Sequence, residues 1–201
     1  MIVRQARTLR SRNRKVVRLL SPNAFSYGSA DGRQLNIGAM RDLLAALREA
    51  VPPDGRIIFG YFPSEVRPEH VTPETLGLLR QYADNDEIVI GAQSGSRHML
   101  EACRRSHTAE AVLTAVSLAR KSGYKVIVDF IFGLPGETAE DIRETVSIIE
   151  ELSRLGARIH PHTFMPLPQT AFGSAPAGTI SPEIVRLLER LEQRRALYGH
   201  L

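Results

Sequence analysis

The sequence predicts an α/β fold on a parallel sheet, either doubly wound and open or curled into a full or partial β/α barrel. Three observations carry that expectation. Short apolar, β-branched runs alternate with helical stretches along the whole chain. Those runs are apolar at consecutive positions, the pattern of strands covered on both faces. Capping side chains mark where helices start, and glycines mark where they stop before the next strand.

In chain order, residues 1–14 read as a basic first helix, followed by a strand over 15–20 (KVVRLL). Met40, Leu43, Leu44 and Leu47 then recur at the three- and four-residue spacing that aligns side chains on one helix face. The second strand is expected over 56–62 (RIIFGYF). Thr72 before Pro73 opens the next helix, because a threonine hydroxyl accepts a free backbone N–H and proline suits the first helical position. The third strand is expected over 87–92 (EIVIGA), and Val112, Ala115, Val116 and Ala119 mark a helix that stops at Gly123. The fourth strand, 124–132 (YKVIVDFIF), leads to a Thr138/Asp141 capping pattern and a helix presenting Ile142, Val146, Ile149 and Leu152. After Gly156 comes the fifth strand, 157–164 (ARIHPHTF), and Ser181 before Pro182 starts a C-terminal covering helix over 181–199.

Composition narrows the function classes. The chain has 201 residues, 43% of them hydrophobic, enough for one domain with its own core. A single cysteine, Cys103, excludes an intramolecular disulfide and any all-cysteine metal site made by this chain alone. No apolar run reaches the roughly eighteen residues of a membrane span, so no membrane partner is expected, and a cytoplasmic, reducing location is. The net charge of +4 is local: residues 1–30 hold seven basic residues and no acidic one, which leaves 19 against 22, or −3, in the other 171. That basic stripe has no aromatic side chain before Phe25 to stack on bases, so it reads as a solvated helix and not as a nucleic-acid arm.

In both architectures ligands bind at the carboxyl ends of the strands. The residues there are 21–28 (SPNAFSYG), 63–67 (PSEVR), 93–96 (QSGS), 133–137 (GLPGE) and 166–170 (PLPQT). They form a rim suited to a polar organic molecule with hydroxyl and charged groups. Glu65 and Arg67 could meet an ammonium and a carboxylate, Gln93, Ser94 and Ser96 could meet hydroxyls, and Gly133 and Gly136 let backbone approach a flat ring.

Three segments then resemble a known family: 91–100 (GAQSGSRHML), 105–108 (RSHT) and 129–138 (DFIFGLPGET). Together they resemble the radical S-adenosylmethionine superfamily, above all the branch of methylthiotransferases and of proteins that join a B12-binding domain to a radical SAM domain. SPNAFSYGS and FPSEVRPEHVT look like two further strand ends of the B12-linked group. The resemblance implies strands two to six of a six-stranded partial barrel with S-adenosylmethionine as ligand. It implies that Glu65 helps hold the methionine or ribose portion, that Gln93, Ser94 and Ser96 line the same site, and that Arg105 meets the carboxylate. Gly133, Pro135, Gly136 and Glu137 would face the adenine, and Asn23, Arg67 and Asp129 complete the expected cofactor-binding set. In such enzymes a [4Fe–4S] cluster donates an electron to S-adenosylmethionine, which splits into methionine and a 5′-deoxyadenosyl radical that takes hydrogen from a substrate. Cobalamin is expected only in a separate domain.

The family's C-x3-C-x2-C loop is absent, and Ser106 and Gln169 stand where the family usually has glycine. The expectation is a truncated radical SAM barrel domain over 1–201, inactive as a lone polypeptide, with cluster ligands from a missing N-terminal segment or a partner chain and an unidentified substrate. The alternatives are a cluster-free module binding S-adenosylmethionine, another nucleoside or RNA, and a methylthiotransferase. Plainer roles stand beside these. Cys103 in a helical stretch (MLEACRR) is expected to pack as a small buried thiol. His160 and His162 share one strand face, with no acid or cysteine close in sequence, so no metal site is assigned; an ordinary barrel enzyme using them or Asp129 with a divalent metal ranks last. Asp129 lies in an apolar strand, where an unpaired charge is costly, and so requires a ligand or a buried arginine. Glu65 and Arg67 could simply pair with each other.

Overall fold

The computed structural model describes residues 1–199. Within them the expected alternation is complete: α1 (Ile2–Ser11), β1 (Val16–Arg18), α2 (Ile37–Ala50), β2 (Arg56–Ile58), α3 (Pro73–Tyr82), β3 (Glu87–Gln93), α4 (Arg97–Ala102), α5 (Ala109–Lys121), β4 (Lys125–Phe132), α6 (Ala139–Arg154), β5 (Arg158–Thr163) and α7 (Pro182–Gln193). The hydroxyls of Thr72, Thr138 and Ser181 each accept the backbone N–H three residues on, which satisfies a donor that the first helical turn leaves free.

β1 pairs in parallel with β2, and β3, β4 and β5 form a second parallel sheet in that order. Backbone bonds link the two: Val89 N donates to Gly60 O (3.2 Å), Val66 N to Val89 O (2.8 Å) and Gly91 N to Val66 O (3.0 Å). The five strands therefore follow one another in chain order, as a partial barrel requires. β1 and β2 are shorter than the expected strands. Their pairing ends with Leu19 N donating to Ile58 O (3.0 Å), and Gly60, at φ +70°, then turns the chain toward β3.

The outer strand faces and the helices share one core. Ile88 and Ile90 of β3, Val126 and Val128 of β4 and Ile159 of β5 are buried with Leu44, Leu47, Val112, Val116, Ile149 and Leu187 from the covering helices. Strand alternation sends the other residues, Gly91 and Gln93, Asp129 and Ile131, His160 and His162, to the inner face.

The C-terminal helix is shorter than its expected 181–199 range. It ends at Gln193, and the chain then runs beside β5, with Ile159 N donating to Ala196 O and Tyr198 N to Ile159 O, both at 2.8 Å. These bonds satisfy backbone groups that a bare strand edge would leave unpaired. No helix among the described residues is long and apolar enough to cross a membrane.

Candidate functional site

A cavity of about 500 Å³ opens at the carboxyl ends of β3, β4 and β5, with Glu65, Gln93, Arg105, Asp129 and His162 as its polar wall. Glu65 reaches it because the loop after β2 is tied down. Ser64 Oγ accepts from Ser21 N (2.9 Å) and donates to Leu19 O (3.2 Å), and Ala24 N donates to Glu65 O (3.0 Å). Asn23 belongs to this bracing: its Oδ1 accepts from Arg67 N (3.3 Å) and its Nδ2 meets His70 Nδ1 (3.1 Å).

Glu65 is held from two sides. Gln93 Nε2 donates to its Oε2 (3.0 Å), and Arg105 donates to its Oε1 (3.5 Å). Burial pushes the Glu65 carboxyl above its ordinary value, while the Arg105 guanidinium opposes that shift. Gln93 is aimed by strain in its own backbone. It sits at φ +70°, where a register shift between Gly91 and Gln93 interrupts the β3–β4 ladder.

Ser94 and Ser96 turn away from the cavity toward α6. Ser94 Oγ lies 3.2 Å from Thr145 Oγ1, and Ser96 Oγ donates to Asp141 Oδ1 while capping α4. Burial disfavours the Asp141 charge, yet bonds from Ser96 and Thr138 hold its carboxyl far below the usual carboxylate range. Gly95 lets these elements touch: a Cβ there would lie 2.7 Å from Thr145 Cα.

Arg67 does not meet Glu65. It lies 3.6 Å from Glu69 Oε1, whose other oxygen is 3.5 Å from Nδ1 of the buried His107. His107 Nε2 donates to Ala92 O (3.0 Å), one residue before Gln93. Burial opposes the Glu69 charge, but His107 and Arg67 bring its carboxyl down to about 2. The sequence reading named neither Glu69 nor His107 as functional. Their only signal was a place inside two motifs, PEH and RSHT.

Gly133, Pro135, Gly136 and Glu137 close on themselves. Glu137 Oε2 accepts from Gly133 N (3.0 Å), and burial raises the Glu137 carboxyl. Gly133 is at φ +74°, and a Cβ there would lie 2.7 Å from the Thr179 backbone. The strand end is thus packed by the chain's own returning loop, and of residues 133–137 it is Leu134 that lines the cavity.

Asp129 finds histidines, not arginine. His160, its register partner on β5, donates from Nδ1 to Asp129 Oδ1 (2.9 Å), and His162 Nε2 is 3.8 Å from the same oxygen. Burial opposes ionisation, but the two histidines hold Asp129 below its ordinary value. The acid that the histidines lacked in sequence comes from the neighbouring strand. Cys103 lines the cavity at half-burial instead of packing fully in the core.

The profile of the radical SAM superfamily matches residues 1–149. The chain is 27% identical over 184 residues to an uncharacterized protein of Methanopyrus kandleri, an alignment covering 88% of this chain and 34% of that protein. It is 30% identical over 204 residues to tRNA-2-methylthio-N(6)-dimethylallyladenosine synthase of Porphyromonas gingivalis, covering 100% of this chain and 42% of that one. Among solved structures, coproporphyrinogen III oxidase of Escherichia coli superposes with a TM-score of 0.66 at 19% identity, covering 96% and 44% of the two chains. The methyltransferase TsrM of Kitasatospora setae, with cobalamin and a [4Fe–4S] cluster bound, superposes with 0.62 at 20% identity, covering 85% and 32%. The likeness to these structures is one of fold. The chain spans between about a third and two fifths of the length of the two sequence relatives.

Proposed function

The chain belongs to the radical SAM superfamily, and we propose that it is the S-adenosylmethionine-holding part of an enzyme of that family, with cluster ligands from outside these 201 residues. The observation that carries the reading is the Glu65–Gln93–Arg105 constellation at the cavity mouth. The donor set fits the molecule. Glu65 is a half-buried carboxylate for the ammonium, and Arg105, paired with it at a long 3.5 Å, is a guanidinium for the carboxylate. Gln93 and Asp129 supply an amide and a carboxylate for ribose hydroxyls. The apolar wall of Leu134 and Phe164 suits an adenine and excludes water from it.

When bound, S-adenosylmethionine supplies the sulfonium whose cleavage begins the family's radical chemistry. A [4Fe–4S] cluster does not fit this chain's own residues. The family's site uses three thiolates, and the one cysteine here is a thiol that burial pushes above its ordinary value. The chain's part is to bind, orient and desolvate. A cytoplasmic, reducing setting and a single barrel domain over 1–201, lacking one strand and one loop, are part of the same proposal.

Calorimetry with S-adenosylmethionine on the chain and on Glu65→Ala tests the site: binding is expected and is lost in the variant. No binding by the folded chain, alongside salt-sensitive RNA affinity, would replace this reading with an RNA-binding module. Reconstitution with iron and sulfide tests the rest, since a stable stoichiometric cluster on this chain would overturn the external-ligand proposal. Methylthiotransfer to an RNA base is the second reading, favoured by the full-chain alignment to the Porphyromonas enzyme.

A further inference from the structure

We propose that the face of the barrel opposite the cavity carries an anion site, which binds a phosphate group where the carboxyl ends of α5, α6 and α7 converge. A recess of about 310 Å³ opens there, lined by Arg154 at the end of α6, Arg158 at the start of β5, and Arg194 and Arg195 just after α7. No acid is among the described residues that line it. Arg120, in the last turn of α5, reaches the same rim: its guanidinium lies against Gly156, where a Cβ would be 3.2 Å from Nη2. Net charge hides this cluster, because residues 31–201 hold 19 basic against 22 acidic residues. The fold gathers arginines from separate stretches of that chain into one place.

Arg158 is already committed. Its Nη2 is 2.6 Å from Glu87 Oε1, and its guanidinium stands over the Tyr198 ring at 4.9 Å. Arg120, Arg154, Arg194 and Arg195 have no ion-pair partner among the described residues, where the paired arginines are others. The negative end of a helix favours a cation in its last turn, which accounts for Arg120 and Arg154. It does not account for Arg195. The turn after α7 puts that residue at φ +56°, the left-handed conformation that Gly123 fills after α5 and Gly156 after α6. A side chain is kept where glycine would be unstrained, and it lines the recess.

Gathered guanidinium groups repel one another, and an anion among them relieves that repulsion. A carboxylate offers one plane and a single charge. A phosphate group is tetrahedral and can accept paired N–H donors from several guanidinium forks at once, so it is the better match. The recess is remote from the S-adenosylmethionine cavity. Arg158 opens β5 and Thr163, which lines the cavity, ends it, so five steps of about 3.3 Å, roughly 16 Å, lie between them. Two sources present such a group, a nucleic-acid backbone and a free polyphosphate.

Pyrophosphate titrated by calorimetry into the chain at low salt tests the site, and one ion per chain is expected. The double variant Arg154→Gln/Arg195→Gln should weaken binding at least tenfold. Arg7→Gln/Arg10→Gln, which removes the same charge from the exposed side of α1, should leave it intact. A single-stranded RNA oligomer then identifies the source. RNA that displaces pyrophosphate, and that the recess variant fails to bind, assigns the site to a nucleic-acid backbone; pyrophosphate that RNA does not displace assigns it to a free polyphosphate. Non-saturable binding by the folded, unaltered chain would overturn the proposal without recourse to variants. So would undiminished affinity in the folded recess variant, or equal losses in the two double variants, which would reduce the effect to net charge. No arm uses S-adenosylmethionine, so failure here and failure of the functional reading are distinguishable.

Discussion

Gly91 and Glu65 make a contact that only glycine permits: a Cβ on Gly91 would lie 2.3 Å from Glu65 Oε2. The β3 strand gives up a side chain so that a carboxylate from the neighbouring strand end can lie flat against it, within reach of Gln93 and Arg105. Gly91→Ala should therefore fold, since this position has no left-handed backbone, but should displace Glu65. Overpacking of this kind costs about 1–3 kcal/mol. Denaturant unfolding should show that loss together with at least tenfold weaker S-adenosylmethionine binding; unchanged affinity would mean that the carboxylate does not hold the ligand.

Affinity for S-adenosylmethionine should depend on pH through Glu65. Burial raises this carboxyl, so it takes up a proton at a higher pH than the roughly 4.3 of an exposed glutamate. Only the ionised form attracts an ammonium. Binding should therefore fail, as pH is lowered, before exposed glutamates titrate, and Glu65→Gln should bind weakly at every pH. Isothermal titration across pH 4–8 reads both; a profile set by an ordinary carboxylate would argue against burial of the working group.

The Glu69–His107 pair should carry acid-dependent stability. The Glu69 carboxyl, brought down to about 2, lies below its unfolded value, so its contribution is complete above that unfolded value and is lost as pH falls toward 2. His107→Gln keeps a donor for Ala92 O but removes the imidazole Nδ1 that lies 3.5 Å from the Glu69 carboxylate. With Arg67 still 3.6 Å from the carboxylate, the loss is expected to stay below the roughly 3–5 kcal/mol of a fully broken buried pair, and the pH dependence of the urea midpoint between pH 5 and 3 should flatten. An unaltered slope would show that the carboxylate does not rely on this histidine.

The outer edge of β1 should drive association. β2 is the strand partner of β1 among the described residues, and Val16 and Leu20 beside that edge are 52% and 67% exposed. An apolar strand edge with free backbone groups templates pairing with another chain. Light scattering should find oligomers that Val16→Lys and Leu20→Lys reduce; a monodisperse unaltered monomer would mean that the edge is protected.

The alternation of strands and helices was legible because it rests on local physics: apolar spacing, hydroxyl caps and terminal glycines act within a few residues. That Glu65, Gln93, Arg105 and Asp129 face one cavity was legible for a related reason, since three belong to motifs at strand ends and Arg105 to the RSHT turn after α4. Their partners were not. Arg67 was expected to meet the ligand, with a Glu65 pairing as the plainer alternative, but it lies beside Glu69. Ser94 and Ser96 were expected in the ligand site but brace α6. The Gly133 turn was expected against an adenine but packs on Thr179. A strand-end motif says that a residue lies on the rim; which way its side chain points depends on the bulge at Gln93 and on loops arriving from distant parts of the chain.

The sequence by itself determined the parallel α/β class, the superfamily and the presence of a single cysteine, because periodicity, motif order and composition are properties of a line of residues. The tertiary structure alone decided which charges meet. Asp129 and His160 are separated by a helix in sequence and placed side by side by the β4–β5 register. An acid that looked unpaired and two histidines that looked unsupported become one cluster, because a parallel crossover makes neighbours of residues 31 positions apart.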